Sequence, residues 1–246
     1  MNSIRMTQRA ALAACCLSIF AAQSAAADEG GPEEKATPWW EISANVAVVS
    51  DYRFRGVSLS DETVALQGGF DVSTKPGFYF GFWGSGIDEF AGSELETDFY
   101  GGYAQEFNGV TLDAGFILYA YPGSDDTDYW EITGSVSGDV GPVSLKAGAN
   151  YAFEQDNIGG NDNYYIYGDA GYGLPFFKSL PLTLNAHLGY EEGAFGTDSF
   201  GEAKLDWSVG LGTEYRGVGF SVAYVDTDID SDNTDATVVF TVGASF

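Results

Sequence analysis

The chain has 246 residues, with 36 Asp+Glu against 10 Lys+Arg, a formal net charge of −26 and 15% aromatic residues. That length suits one large domain or two small ones, and so many aromatics argue against disorder, because disordered acidic chains are poor in them. The charge excludes nucleic-acid binding through phosphate neutralisation, which requires clustered Lys and Arg.

Residues 1–27 read as an export signal. Arg5 and Arg9 form a positive n-region, Ala10 to Ala22 an apolar stretch, and Ala25-Ala26-Ala27 a small-residue cleavage site before Asp28. Leu12-Ala13-Ala14-Cys15 also resembles a lipoprotein cleavage box. The apolar stretch after Arg9 would then be Ala10 to Ala14, shorter than the roughly 7–15 residues of an h-region. Cleavage before Asp28 removes Cys15 and Cys16, the 2 cysteines of the chain, and rules out a disulfide. Loss of Arg5 and Arg9 deepens the net charge from −26 to −28. Residues 28–38 are a polar, flexible leader. Residues 39–246 form the folded domain, and no run of about 18 apolar residues marks a spanning helix.

From Trp39 onward, segments of about ten residues alternate apolar with polar or small side chains, the period-2 pattern of strands. Twelve are predicted: Ile42–Ser50, Val64–Val72, Phe78–Ser85, Thr97–Phe107, Val110–Tyr119, Tyr129–Ser137, Val143–Phe153, Tyr164–Gly173, Leu182–Glu191, Lys204–Tyr215, Val218–Asp226 and Ala236–Phe246. The alternation is cleanest late in the chain. Val218, Phe220, Val222 and Tyr224 share one face there, opposite Gly219, Ser221 and Ala223.

Alternation alone fits a β-sandwich with the apolar face inward or a membrane barrel with it outward. Three features select the barrel. Connections alternate short (Asn108-Gly109, Arg216-Gly217) with long and acidic (Asp61-Glu62, Asp88 to Glu96, Pro122 to Asp128, Glu154 to Asn163, Glu192 to Ala203, Asp226 to Asp235), the rhythm of short periplasmic turns and longer outer loops. The segments match the 9–11 residues of a tilted membrane strand, roughly, more than the 5–6 of soluble strands. The last strand ends on Phe246, and an even strand count returns both ends to one side. The expected fold is an all-β, antiparallel up-and-down transmembrane barrel of about twelve strands.

The run from Ser43 to Ser58, SANVAVVSDYRFRGVS, resembles the opening block of the TorF-like porins of proteobacterial outer membranes. Leu66 to Asp71, Gly77-Phe78-Tyr79, Trp83-Gly84-Ser85, Tyr100 to Tyr103 and Tyr121-Pro122-Gly123 extend the similarity. Beyond Gly123 the chain follows only the strand rhythm. The resemblance implies an outer-membrane barrel and a porin, without a substrate and without catalytic residues.

With the apolar parity outward, the opposite parity lines the lumen. Candidate pore-lining residues are Asp51, Arg53, Arg55, Asp71, Asp98, Asp113, Glu131, Lys146, Asp169, His187 and Asp206, accompanied by Glu41, Asn45, Gln67, Glu106, Asn150 and Glu214. Arg53 and Arg55 share a face near the outer end of strand one, where they could oppose Asp98 or Glu131. An excess of carboxylates favours cations, so the expected function is passive, weakly cation-selective diffusion of small hydrophilic solutes. The carboxylates could equally pair with Arg53, Arg55 and Lys146 to satisfy buried charge. Inward Gly and Ser would keep a narrow lumen passable, although glycine also serves sharply twisted strands.

A barrel hydrolase would need a base beside a nucleophile. His187 is the one histidine, and its same-face neighbours Asn185 and Gly189 include no serine. No cofactor and no metal site is expected. Asp226 to Asp232 has the alternating carboxylates of a calcium loop, but Ser231 and Thr237 stand where an EF-hand needs Gly and Glu. Trp39, Trp40, Phe176, Phe177 and Phe246 fit an interfacial girdle. Tyr79, Trp83, Tyr165 and Tyr167 could face inward, in strands aromatic on both faces. Outer-membrane lipid, lipopolysaccharide, small solutes or cations are the expected partners, and a homo-oligomer stays open. The rival function is a structural or adhesive barrel plugged by its own side chains.

Overall fold

The computed structural model describes residues 38–175, 180–196, 203–231 and 233–246. The expected export signal, the expected leader as far as residue 37, and Phe176 and Phe177 lie outside the described residues. The strands are β1 (Trp40–Val49), β2 (Arg53–Phe54), β3 (Val57–Ser58), β4 (Ala65–Thr74), β5 (Phe78–Phe90), β6 (Ser93–Phe107), β7 (Val110–Ala120), β8 (Tyr129–Val140), β9 (Val143–Gln155), β10 (Asn161–Leu174), β11 (Leu182–Gly193), β12 (Lys204–Tyr215), β13 (Val218–Thr227) and β14 (Thr237–Ser245).

Twelve of them, all except β2 and β3, form one closed antiparallel barrel in sequence order. β1 closes it, pairing with β4 on one side (Ile42 opposite Val72) and β14 on the other (Val48 opposite Val242). Two backbone bonds between Ala44 and the C-terminal Phe246, at 3.1 and 2.9 Å, finish the seam. Closure leaves no strand edge unpaired, which is the condition for a sheet to sit in hydrocarbon.

The outward parity carries the apolar side chains. Ile42, Phe80, Phe116, Leu188, Val209 and Phe240 are all exposed, a continuous apolar wall of the kind that soluble monomers rarely present. Trp39, Trp40, Phe78, Phe107, Tyr215 and Phe246 ring the end where the short turns lie. At the opposite end, outward-parity carboxylates sit beneath tyrosines. Tyr151 donates to Asp162 at 2.9 Å, Tyr164 and Tyr190 donate to Glu192, and Tyr224 donates to Asp226 at 2.7 Å. The amphipathic ring keeps its body against the apolar wall and its hydroxyl in the polar zone.

Two connections differ from the expected loops. Asp88 to Glu96 is mostly strand: β5 and β6 run on past an irregularity at Gly86 and turn at Ala91-Gly92. Between β9 and β10 the chain needs only a single 3₁₀ turn, Asp156–Ile158, and two glycines. Both hairpins therefore project beyond the wall as ordered ribbon, because X-Gly pairs with positive φ (Ala91 at 50°, Gly92 at 90°) make a tight turn.

The larger difference concerns Asp51 to Ser58. β1 stops at Val49, and Arg53, Arg55 and their neighbours do not extend it. β2 and β3 form a separate miniature hairpin, Arg53 opposite Ser58 and Phe54 opposite Val57. Its turn is Arg55-Gly56, with φ of 49° and 85°, the same positive-φ pair as Asn108-Gly109 and Arg216-Gly217. The first loop folds back into the barrel instead of out into solvent.

Candidate functional site

The hairpin packs against inward side chains at the loop end of the barrel, and its tip is held from several sides. The Arg55 guanidinium donates through Nη2 to Glu131 on β8 at 2.6 Å and through Nη1 to Glu191 on β11 at 2.5 Å. It also lies over the ring of Tyr165 on β10, 4.4 Å from the centroid. Phe54 meets Tyr119 on β7 edge-on, with centroids 5.6 Å apart. A Cβ at Gly56 would come within 3.0 Å of Asp206 on β12 and Thr227 on β13. Contacts from strands between β7 and β13 thus converge on one tripeptide, Phe54-Arg55-Gly56, and glycine is required at Gly56 both for its φ and for this close approach.

The base of the hairpin is tied as firmly. Arg53 pairs with Asp51, reaches Glu62 at 3.2 Å, and donates to the carbonyls of Gly56, Asn233 and Asp235 at 3.0–3.2 Å. Asp51 accepts from Ser58 at 2.6 Å and Ser60 at 3.2 Å. Tyr52 donates to Glu96 at 2.5 Å and packs edge-on against Trp83, while Tyr121 donates to the other Glu96 oxygen at 2.9 Å.

Around Arg55 the charges form a relay. Glu131 also accepts from Tyr119 at 3.2 Å and Asn150 at 3.0 Å. Glu191 also meets Lys204 at 2.6 Å and Asn163 at 2.9 Å. Burial by itself would pull the Arg55 guanidinium down; the Glu131 and Glu191 carboxylates outweigh it and hold the group well above the usual arginine value. Arg55 is a permanent cation at the centre of this network.

Toward the turn end the inward groups are only partly buried. Asp71 accepts from Tyr100 at 2.7 Å and Asp113 from Tyr79 at 3.1 Å. Lys146 stands opposite Asp169 across β9 and β10, with its ammonium 5.6 Å from the Tyr167 ring. His187 is clamped by Asp169 at 2.6 Å, Asp206 at 3.0 Å and the Tyr165 hydroxyl at 2.7 Å. Ser208 stands opposite His187 on β12, but the ring's bonds go to the two carboxylates and the phenol. Among the described residues no group of three His, Cys, Asp or Glu side chains is arranged to hold a metal ion.

All eleven candidate lining residues therefore lie on the inner side of the barrel, but in two populations. Asp51, Arg53, Arg55, Asp98, Glu131 and Asp206 are buried at the loop end; Asp71, Asp113, Lys146, Asp169 and His187 are partly accessible below them. Arg55 meets Glu131 and Glu191 in direct contact, not across open water, while Arg53 pairs with Asp51 and Glu62. Glu96, Glu191, Lys204 and Asn163 belong to the same network and were not among the residues expected from sequence.

Tyr79, Trp83, Tyr165 and Tyr167 point inward, which resolves the two strands that are aromatic on both faces. Inward glycines are their seats. Tyr100 lies over Gly81, Tyr167 over Gly148 and Tyr79 over Gly102, each directly opposite in register, and a Cβ at those glycines would come within 2.2–2.6 Å of the tyrosine side chain. Neither a passable lumen nor twist is needed to explain them.

Tyr52→Phe tests how much the plug depends on its polar contacts. Removing one of the donors to the buried Glu96 should lower stability by about 1–3 kcal/mol, read as a shift of the urea midpoint of the refolded barrel. No shift would mean that water replaces the phenol and the plug is loosely packed.

Several solved barrels share this fold. A KdgM porin aligns with a TM-score of 0.58 and 12% identity, covering 83% of this chain and 98% of that one. A KdgM porin in complex with disordered oligogalacturonate gives 0.55 and 13%, covering 83% and 97%. A NanC porin gives 0.55 and 11%, covering 84% and 99%. No curated protein matches the sequence significantly. The family model described as a bacterial protein of unknown function (Gcw_chp) matches residues 33–246, and the chain belongs to that family.

Proposed function

We propose that the protein is an outer-membrane porin, a passive and weakly cation-selective path for small hydrophilic solutes, with its short turns in the periplasm and its outer mouth closed at rest by hairpin β2–β3. The observation that carries this is the pairing of an apolar outer wall, whose carboxylates Asp162, Glu192 and Asp226 sit at its loop end, with an ionisable inner one. The fold shared with KdgM and NanC porins and the TorF-like opening block support the same reading. Inward carboxylates (Asp51, Asp71, Glu96, Asp98, Asp113, Glu131, Asp169, Glu191, Asp206) exceed inward Arg and Lys (Arg53, Arg55, Lys146, Lys204), and an acidic lumen favours cations. Lipopolysaccharide and lipid contact the apolar wall, and the export signal delivers the chain to the membrane. His187 serves as a wall residue in this reading, with no catalytic role.

The filled loop end favours a second reading, a non-conducting structural or adhesive barrel. Planar-bilayer recording across a KCl gradient separates the two. The channel reading expects infrequent discrete steps with a reversal potential favouring K⁺. Steps favouring Cl⁻ would place control with Arg53 and Arg55, and silence from a folded barrel would establish the non-conducting reading. Lys146→Glu should move the reversal potential further toward K⁺ by reversing a charge in the accessible half of the lumen. An unmoved potential would show that the ion path avoids β9.

A further inference from the structure

We infer that the pocket formed by Glu131, Glu191, Tyr165 and Asn150 is a binding site for a guanidinium-bearing solute, and that Arg55 is a tethered occupant which such a solute displaces when the hairpin lifts. The inference rests in part on the channel reading, since it supplies the solute class and the opening signal for the same lumen.

Four observations carry it. The site is built, because Glu131 and Glu191 are each 0% exposed and come from different strands, and neither is supplied by the hairpin. It already holds a guanidinium, with one nitrogen on each carboxylate and the plane over the Tyr165 ring. Fork plus aromatic face is what distinguishes guanidinium from ammonium recognition. Its capacity is not exhausted either, since Glu131 Oε1 is buried without a hydrogen-bond partner among the described residues. Finally, the occupant is held in an unfavourable backbone state. Arg55 has φ of 49°, uncommon for a residue with a long side chain. A free guanidinium would make the same contacts to Glu131, Glu191 and Tyr165 without that strain, forgoing only the hairpin's own Phe54 ring.

The pocket also explains why the hairpin would not lift spontaneously. Withdrawing Arg55 leaves two carboxylates buried against Lys204 alone, and uncompensated buried charge is costly. A cation arriving from outside removes that cost, so binding and opening are coupled. The coupling selects the solute by its charge and shape.

The test uses the full refolded chain, methylguanidinium as probe and methylammonium as comparison. Arg55→Ala vacates the site. Methylguanidinium should then raise the thermal unfolding midpoint of this variant, half-saturating at about millimolar concentration as expected for so small a ligand, with methylammonium clearly weaker. The quadruple variant Arg55→Ala, Glu131→Gln, Glu191→Gln, Lys204→Met removes the buried charge of the pocket, including the ammonium that Glu191 neutralises, so it folds even if the single variant does not, and it should show no such rise. In bilayers both variants should open about tenfold more often than the unmodified chain, and methylguanidinium should block the single variant but not the quadruple.

Binding with silence in every variant would keep the site and overturn the channel. Conductance without a methylguanidinium effect would keep the channel and overturn the site. If Arg55→Ala does not fold, methylguanidinium present during its refolding should rescue it, and failure of rescue overturns the site as well.

Discussion

Glu191→Ala is expected to be among the most destabilising single changes in the barrel. Among the described residues Glu191 is the one carboxylate in ion-pair contact with two Arg or Lys side chains, Arg55 at 2.5 Å and Lys204 at 2.6 Å, while also accepting from Asn163 at 2.9 Å. Its removal leaves two buried positive charges with only Glu131 to answer them. Breaking a buried pair by deleting one partner typically costs about 3–5 kcal/mol, so the urea midpoint should fall markedly with the slope unchanged. Glu62→Ala is the control. Glu62 also pairs with an arginine, at 3.2 Å, but its side chain is 49% exposed, and exposed pairs contribute about 0–1 kcal/mol. Equal losses at the two positions would mean that the loop-end network is solvated and that the hairpin is not a sealed plug.

That contrast bears on how far the sequence can be read. The barrel was legible because twelve strands repeat one outward parity, and late strands such as Val218–Thr227 keep it without a break. Strands β5 and β10 were ambiguous by hydropathy alone, since both faces are aromatic. In β5 the hydroxyl separates the faces: outward rings are Phe78, Phe80 and Phe82, whereas inward Tyr79 reaches a carboxylate. In β10 tyrosines stand on both faces, outward Tyr164 on Glu192 and inward Tyr165 on His187, so the ring type does not separate them.

The plug was not legible from alternation. Asp51 to Ser58 is composed like a strand and continues the alternation of β1, so the arginines fell on a plausible wall. One signal was present. Arg55-Gly56 is the same kind of dipeptide as Asn108-Gly109 and Arg216-Gly217, which do read as turns. Glu191 lies one parity step beyond Gly189, and Lys204 is two residues before Asp206 on the same face. Glu96 was hidden by the late start assigned to β6, which begins at Ser93. Long-range charge partners such as Arg55 and Glu191, 136 residues apart, follow from three-dimensional closure and have no local signature.

Gly189→Val should disturb the plug from the wall side. Gly189 is opposite Tyr167 on β10 and Asp206 on β12. A Cβ there would lie 2.2 Å from the Tyr165 hydroxyl and 2.4 Å from Asp206 Oδ2. Both groups would have to move. Tyr165 carries the Arg55 guanidinium on its face and bonds His187 at 2.7 Å and Asp206 at 3.2 Å. Overpacking at such a position costs about 1–3 kcal/mol, and each polar group left buried without its partner adds about 1–3 kcal/mol. The matched control is Gly173→Val, on the inward face of neighbouring strand β10, where a Cβ meets nothing within 4 Å and φ is not positive. A β-branched residue suits a strand better than glycine does, so this change should be neutral or slightly stabilising. A large loss at Gly189 with none at Gly173, measured by urea unfolding, would establish that inward glycines act as seats for tyrosine rings. Equal losses at both would mean that the wall needs glycine for its backbone, and the link from Gly189 through Tyr165 to Arg55 would then fail.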